Sequence, residues 1–285
     1  MRSLAFELTS RLELPLRGDV RWCDSRGPMP AVIVCHGFKG FKNWGFFPWI
    51  GERLAQAGFV SVCFNFSGSG VGANLYEFDE LHRFEADTIS AQIADLGTVL
   101  DALLGGRLGP AVVQPGQVAV LGHSRGGGIA VAHAREDLRV RAVATWAGVA
   151  CARRWPEADI RAWRARGFQD FPNARTGQMM RIGTALLDDL DAHVGRFDLP
   201  RAASELRVPF LVVHGSADAS VPAWEASALY GAAAPGMAEY LLIPGAGHTF
   251  GAEHPWKGPT ADAERALDHT IAWLNRQWAN AGSRT

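Results

Sequence analysis

Gly122-His123-Ser124-Arg125-Gly126 fits the pattern G-x-S-x-G: one serine with a glycine two residues away on either side. The apolar run Val118 to Leu121 leads into it, and the helical pattern GGIAVAHARE leaves it. A serine on a sharp strand-to-helix turn holds a strained backbone, so the flanking positions must lack side chains. Its Oγ then stands out from the sheet above a helix N-terminus, where partial positive charge favours a developing oxyanion. That is a nucleophile's geometry, although close packing of helix on strand would use the same glycines. A hydroxyl also needs a base to take its proton and an acid to orient the base.

Both partners are in the sequence, each just past a strand-like run. VPFLVVHGSADASVP carries Asp218, and YLLIPGAGHTFG carries His248 in a glycine-flanked loop. Open α/β sheets bind ligands at the carboxyl ends of their strands, which is where all three residues fall. VIVCHGFKGF closes another strand-like run, and the backbone N–H groups of Phe38 and Arg125 are the expected oxyanion donors. The other polar residues nearby have plainer readings. Glu225 is expected to face solvent from the helix after Asp218, and Asp188, Asp189 and Asp191 to form a solvated helix face. His36 is expected to order the oxyanion loop, His254 to be structural, and His123 to pack with its side chain away from the substrate. Of the aromatics, Trp146, Trp155 and Trp163 are the expected walls of an apolar acyl or aryl pocket, Trp146 first because it ends a strand.

These residues need a scaffold, and the chain writes one. Runs with little alternation recur at residues 31–36, 59–66, 117–123, 141–147, 208–215 and 238–244, as expected of parallel strands covered on both faces. Helical patterns separate them, which specifies an α/β fold with a mostly parallel central sheet flanked by helices. The first 22 residues alternate loosely and read as antiparallel strands at a sheet edge. Residues 151–205 break the rhythm. They are rich in Trp, Phe and Arg, and read as a helical, cap-like insertion over the active-site edge of a single domain spanning 1–285.

Composition narrows the alternatives. Hydrophobic residues are 48% and charged residues 20% of 285, with a formal net charge of −1, which offers no basic face for nucleic acid. No stretch approaches the roughly 18 apolar residues of a membrane span, and the N-terminus lacks the apolar core and cleavage site of a signal peptide. The four cysteines form no CxxC pair, so a reduced, cytoplasmic protein is expected. No metal is expected, because histidines and acids never cluster at ligand spacing. GSGVG, Gly68 to Gly72, lacks the third glycine and acidic partner of a dinucleotide loop, and no cofactor is expected. Oligomeric state is not written in the sequence, and a dimer is compatible with it.

With HGF at the oxyanion loop, GHSRGG at the nucleophile, HGSAD at the acid and GAGHTF at the histidine, the chain resembles the α/β-hydrolase superfamily from about Ala31 to Trp278. Within it, the chain is most similar to compact bacterial serine carboxylesterases related to the dienelactone hydrolases and the cinnamoyl or feruloyl esterases. The resemblance implies the α/β-hydrolase fold, a Ser124–His248–Asp218 triad, and hydrolysis of a small-molecule carboxylic ester through an acyl-enzyme. A peptidase or thioesterase would use the same triad, and a non-catalytic binding protein could share the fold. In FNFSGSGVG, Asn65 and Ser67 stand where many relatives have Asp and Arg, so roles tied to those two do not carry over. Dienelactone hydrolases proper use a cysteine nucleophile, and Ser124 argues for ester chemistry instead.

Overall fold

The computed structural model describes residues 1–74, 76–173 and 177–281. At its centre is a sheet of eight strands in the order β1-β2-β4-β3-β5-β6-β9-β10. Six are mutually parallel: β3 (Met29–Cys35), β4 (Val60–Phe64), β5 (Val113–His123), β6 (Ala142–Trp146), β9 (Phe210–Gly215) and β10 (Ala238–Ile243). Every residue of β4, β6 and β9 is buried, which is why those runs show no alternation. At one edge β2 (Pro15–Trp22) pairs antiparallel with β4, and β1 (Arg2–Thr9) pairs antiparallel with β2.

Helices α1 (Phe47–Gln56), α3 (Ile89–Leu104), α4 (Arg125–Glu136), α8 (Ala223–Ala232) and α9 (Ala261–Ala281) connect or cover these strands. Local chemistry starts two of them: α1 has proline in its first turn, and the Thr88 side chain accepts from Ala91 N–H to cap α3. A short α2 (Leu81–Glu85) precedes α3. Among the described residues, no helix is long and apolar enough to cross a membrane.

Residues 151–205 differ from the helical expectation. Between α5 (Glu157–Arg166) and the pair α6 (Ala185–Ala192) and α7 (Leu199–Ser204) lies an antiparallel hairpin, β7 (Phe168–Pro172) with β8 (Met179–Gly183). Residues 179–183 were expected to begin a helix. Instead Met180 and Ile182 are buried while Met179 and Arg181 face out, a two-residue period that carries a strand. Arg181 Nε donates to Asp170 across the pair at 2.9 Å. Phe171 meets the Phe38 ring edge-on at 5.4 Å, and Lys39 Nζ donates to the Pro172 carbonyl, so the hairpin packs onto the loop after β3. Residues 174–176 of this segment lie outside the described residues.

Glu225 corrects a second expectation. It is 2% exposed, not solvated, because its carboxylate accepts from Arg154 Nη1 at 2.7 and 2.8 Å and from the N–H groups of Ala150 and Cys151. One α8 side chain thereby pins the start of residues 151–205 to the sheet. Removing one partner of a buried, multiply bonded carboxylate is costly. Glu225→Ala is therefore expected to lower unfolding free energy by about 3 kcal/mol. Glu225→Gln, which keeps an acceptor, should lose less. Urea denaturation of the two variants checks this, and equal losses would contradict it.

Candidate active site

Four strand ends meet at one rim of the sheet. β5 ends at His123 and hands the chain to Ser124, which adopts φ 57° and ψ −122° before α4 begins. Non-glycine residues avoid positive φ, and strain of about 1–3 kcal/mol is typical where surrounding structure enforces it. The enforcement is visible: Ser124 N–H donates to Trp146 O, and Ser124 O accepts from the N–H groups of Gly127 and Val149. The flanking glycines leave no alternative. A Cβ on Gly122 would collide with the Gly126 carbonyl, and one on Gly126 would sit 2.5 Å from the Cys35 and His36 carbonyl oxygens.

The loops after β9 and β10 bring in the other two residues. His248 Nδ1 donates to Asp218 Oδ2 at 2.8 Å, which leaves Nε2 to accept from the Ser124 hydroxyl at 3.1 Å. Asp218 Oδ1 accepts from the N–H groups of Ser220 and Val221, both at 2.8 Å. Burial pushes the Asp218 carboxyl up. The His248 hydrogen bond and these two N–H groups outweigh it and hold the carboxyl below the usual range. It is a carboxylate whose lone pairs are already aimed.

His123 departs from its expected placement. Its Nε2–H donates to the His248 carbonyl at 2.9 Å, its ring lies 4.8 Å from the His248 ring, and it lines the small cavity that holds Ser124. Burial lowers its pKa to about 3, so it braces His248 as a neutral donor. His214, deeper still, stands 3.4 Å from Asp218 Oδ2 and donates through Nε2 to Val221 O. Spacing gave no sign of this role, because His214 lies within a strand.

The loop after β3 runs against the serine. Gly37 is so close that a Cβ there would lie 2.8 Å from Ser124 Cβ. His36 accepts from Phe66 N–H through Nε2 and donates through Nδ1 to Gly37 O at 2.9 Å. Burial lowers its pKa to about 4, so it is a neutral strut between two loops. Phe38 N–H has no backbone acceptor among the described residues. Arg125 N–H opens α4 and has no acceptor within that helix. The Arg125 guanidinium lies 4.1 Å from the centroid of the Phe38 ring, so the two residues also meet through their side chains.

The expected aromatic walls are placed differently. Trp146 is 1% exposed, with its indole N–H donated to Thr270 on α9 and Phe250 against its ring. Trp163 is fully buried beneath Trp155. Neither lines the Ser124 cavity, whose aromatic walls are Phe38, Trp44 and Phe47. Strand β6 is covered on both faces, so its terminal side chain turns into the core. Trp155 is half-buried and continues a row of rings through Phe171 to Phe38. The replaced loop positions have new partners: Asn65 Oδ1 accepts from Lys42 N–H, and Ser67 donates from both N–H and Oγ to Asp95. Among the described residues, no group of His, Cys, Asp or Glu side chains could hold a metal ion.

A parallel sheet with a left-handed serine between strand and helix, backed by histidine and aspartate from the last two strand ends, defines a class: enzymes built on a nucleophile elbow. The comparisons agree at the level of family. Residues 32–258 match the model of the alpha/beta hydrolase family, and the chain belongs to it. No curated protein matches the sequence. Solved structures share the fold at low identity. An esterase domain from Rhodothermus marinus superposes with a TM-score of 0.65 at 20% identity, covering 97% of this chain and 99% of that one. The alpha/beta hydrolase GrgF from Penicillium gives 0.72 at 21%, covering 98% and 100%. Est1E from Butyrivibrio proteoclasticus gives 0.68 at 15%, covering 96% and 99%.

The elbow's tolerance can be measured. Gly126→Ala is expected to lose about 2–3 kcal/mol of stability, since the colliding atoms are backbone carbonyls that cannot rotate away. Gly247→Ala, one residue before His248, meets nothing within 4 Å and should change stability by less than about 0.5 kcal/mol. Thermal unfolding of both separates them, and equal melting temperatures would refute the steric account.

Proposed function

We propose that this chain is a cytoplasmic serine hydrolase that cleaves small-molecule carboxylic esters through an acyl-enzyme, with residues 151–205 as a cap within one hydrolase domain spanning 1–285. The observation that carries the reading is the unbroken hydrogen-bonded chain from Ser124 Oγ through His248 to Asp218 at 3.1 and 2.8 Å. Structures that share the fold point the same way, among them an esterase domain and Est1E with ferulic acid bound.

In this reading Ser124 Oγ attacks the ester carbonyl carbon while His248 Nε2 takes its proton. Asp218 holds the imidazole in the tautomer that can accept it and stabilises the cation that forms. The carbonyl oxygen gains charge and is met by the N–H groups of Phe38 and Arg125, fixed in advance by the Gly37 approach and the first turn of α4. Collapse of the tetrahedral intermediate expels the alkoxide, which leaves with the proton from His248. Water then repeats the sequence on the acyl-enzyme and frees the acid.

Ser124→Ala is expected to lower kcat on p-nitrophenyl esters by about 10⁴-fold or more without loss of fold, and Asp218→Asn by a smaller factor. A fluorophosphonate probe should label wild-type protein on Ser124 and leave Ser124→Ala unlabelled. Full activity in Ser124→Ala would end the reading.

A further inference from the structure

The reading above uses only the backbone of Arg125, yet the side chain is set in an unusual way. It is 12% exposed, and among the described residues its guanidinium donates no hydrogen bond to the protein. Its nearest carboxylate oxygen, Asp87 Oδ2, stands 3.9 Å from Nη1, too far to accept. That oxygen is already taken by Gln92 Nε2. The buried Asp87 carboxyl also has its pKa raised well above the usual range by desolvation, which weakens it as a counter-ion. Among the described residues no Arg125 nitrogen is a sealed donor without a partner, so water reaches the guanidinium and a ligand can replace that water.

The same side chain lines a narrow cavity whose other walls include Ile129, Val149, Phe197 and Leu199. Arg154, the second cation there, is committed to Glu225 and to the Ser220 carbonyl. A separate cavity contains Ser124 and His248. The leaving oxygen must lie within reach of His248 Nε2 to receive its proton, which assigns the alcohol to the His248 side. The acyl group is left to extend past Arg125. A planar guanidinium with free donors, set in short apolar walls, matches a carboxylate at the end of a short carbon chain.

We propose that Arg125 is a specificity residue recognising a carboxylate on the acyl half of the substrate, and that the preferred substrates are half-esters of short dicarboxylic acids. The proposal rests on the hydrolase reading. The reaction adds water across the ester C–O bond, giving the free diacid and the alcohol, with no change of oxidation state.

The test compares 4-methylumbelliferyl hemisuccinate and hemiglutarate with the neutral butyrate and pentanoate esters on the full chain. Wild-type kcat/KM is expected to favour the half-esters by about tenfold or more, the range of a hydrogen bond to a charged group. Arg125→Gln should abolish that ratio whatever its absolute rates, and Arg125→Lys should keep part of it. Calorimetric titration of Ser124→Ala with monomethyl glutarate reads the same contact without turnover, and Arg125→Gln in that background should remove the binding. Neutral esters cleaved as well as half-esters, or a ratio that survives Arg125→Gln, would overturn the proposal. If no ester is cleaved at all, the hydrolase reading has failed and the titration alone decides Arg125. Absence of Arg125-dependent binding there would overturn this proposal too.

Discussion

Everything at this site depends on the backbone of one residue. Ser124 is held in the left-handed region by hydrogen bonds to strand β6 on one side and to its own helix on the other. The strain is sustained because the surrounding sheet is buried and cannot relax toward it. Two consequences follow from the same few ångströms. The glycines at 122 and 126 bring the turn against the carbonyls ending β3, and Gly37 in the loop that follows lies against Ser124 itself. The helix begins at once, so among the described residues the Arg125 N–H has no acceptor within it. Under the proposed hydrolase reading, nucleophile and oxyanion donors are one packing solution, not separate acquisitions.

The proposed acid and base are held differently. Asp218 and His248 sit on loops, which the sheet alone would leave mobile. Each is tied down by groups that take no part in the chemistry. Two N–H groups of its own loop fix the carboxylate, and His123 fixes the backbone of His248. Glu225 fixes the connection after β6, and Arg154, held by Glu225, donates to the Ser220 carbonyl in the acid loop. Residues 151–205 and the Asp218 loop therefore share an anchor. A chain that loses it disturbs both.

How much of this was legible in the sequence follows from the range of the forces involved. Ser124, Asp218 and His248 each stand at the end of an apolar run, so local pattern placed them and topology brought them together. The parallel strands were legible for the same reason. Glu225 was not: helix position alone suggests solvent, and only partners some 75 residues away in sequence bury it. Trp146 was misplaced because the end of a strand resembles a site position unless the covering helix, here α9 with Thr270, is known. The β7–β8 hairpin was hidden by its brevity, five residues each, which is too short for alternation to stand out beside the helix that follows. Asp87 and Asp95 carry no spacing signal, since each owes its environment to a loop that folds back from another strand.

Charge is the last constraint, and burial distributes it. Four imidazoles crowd the rim, and the proposed mechanism needs one of them to take the Ser124 proton. His36 and His123 are desolvated enough to stay neutral, and burial also lowers His214. Each of these three already donates to a backbone carbonyl, so each is fixed as a strut. His248 differs in two respects at once: its side chain keeps 22% of its surface open, and a fully buried carboxylate faces its Nδ1. Of the four, the proposed mechanism uses the one within reach of the serine, His248 at 3.1 Å.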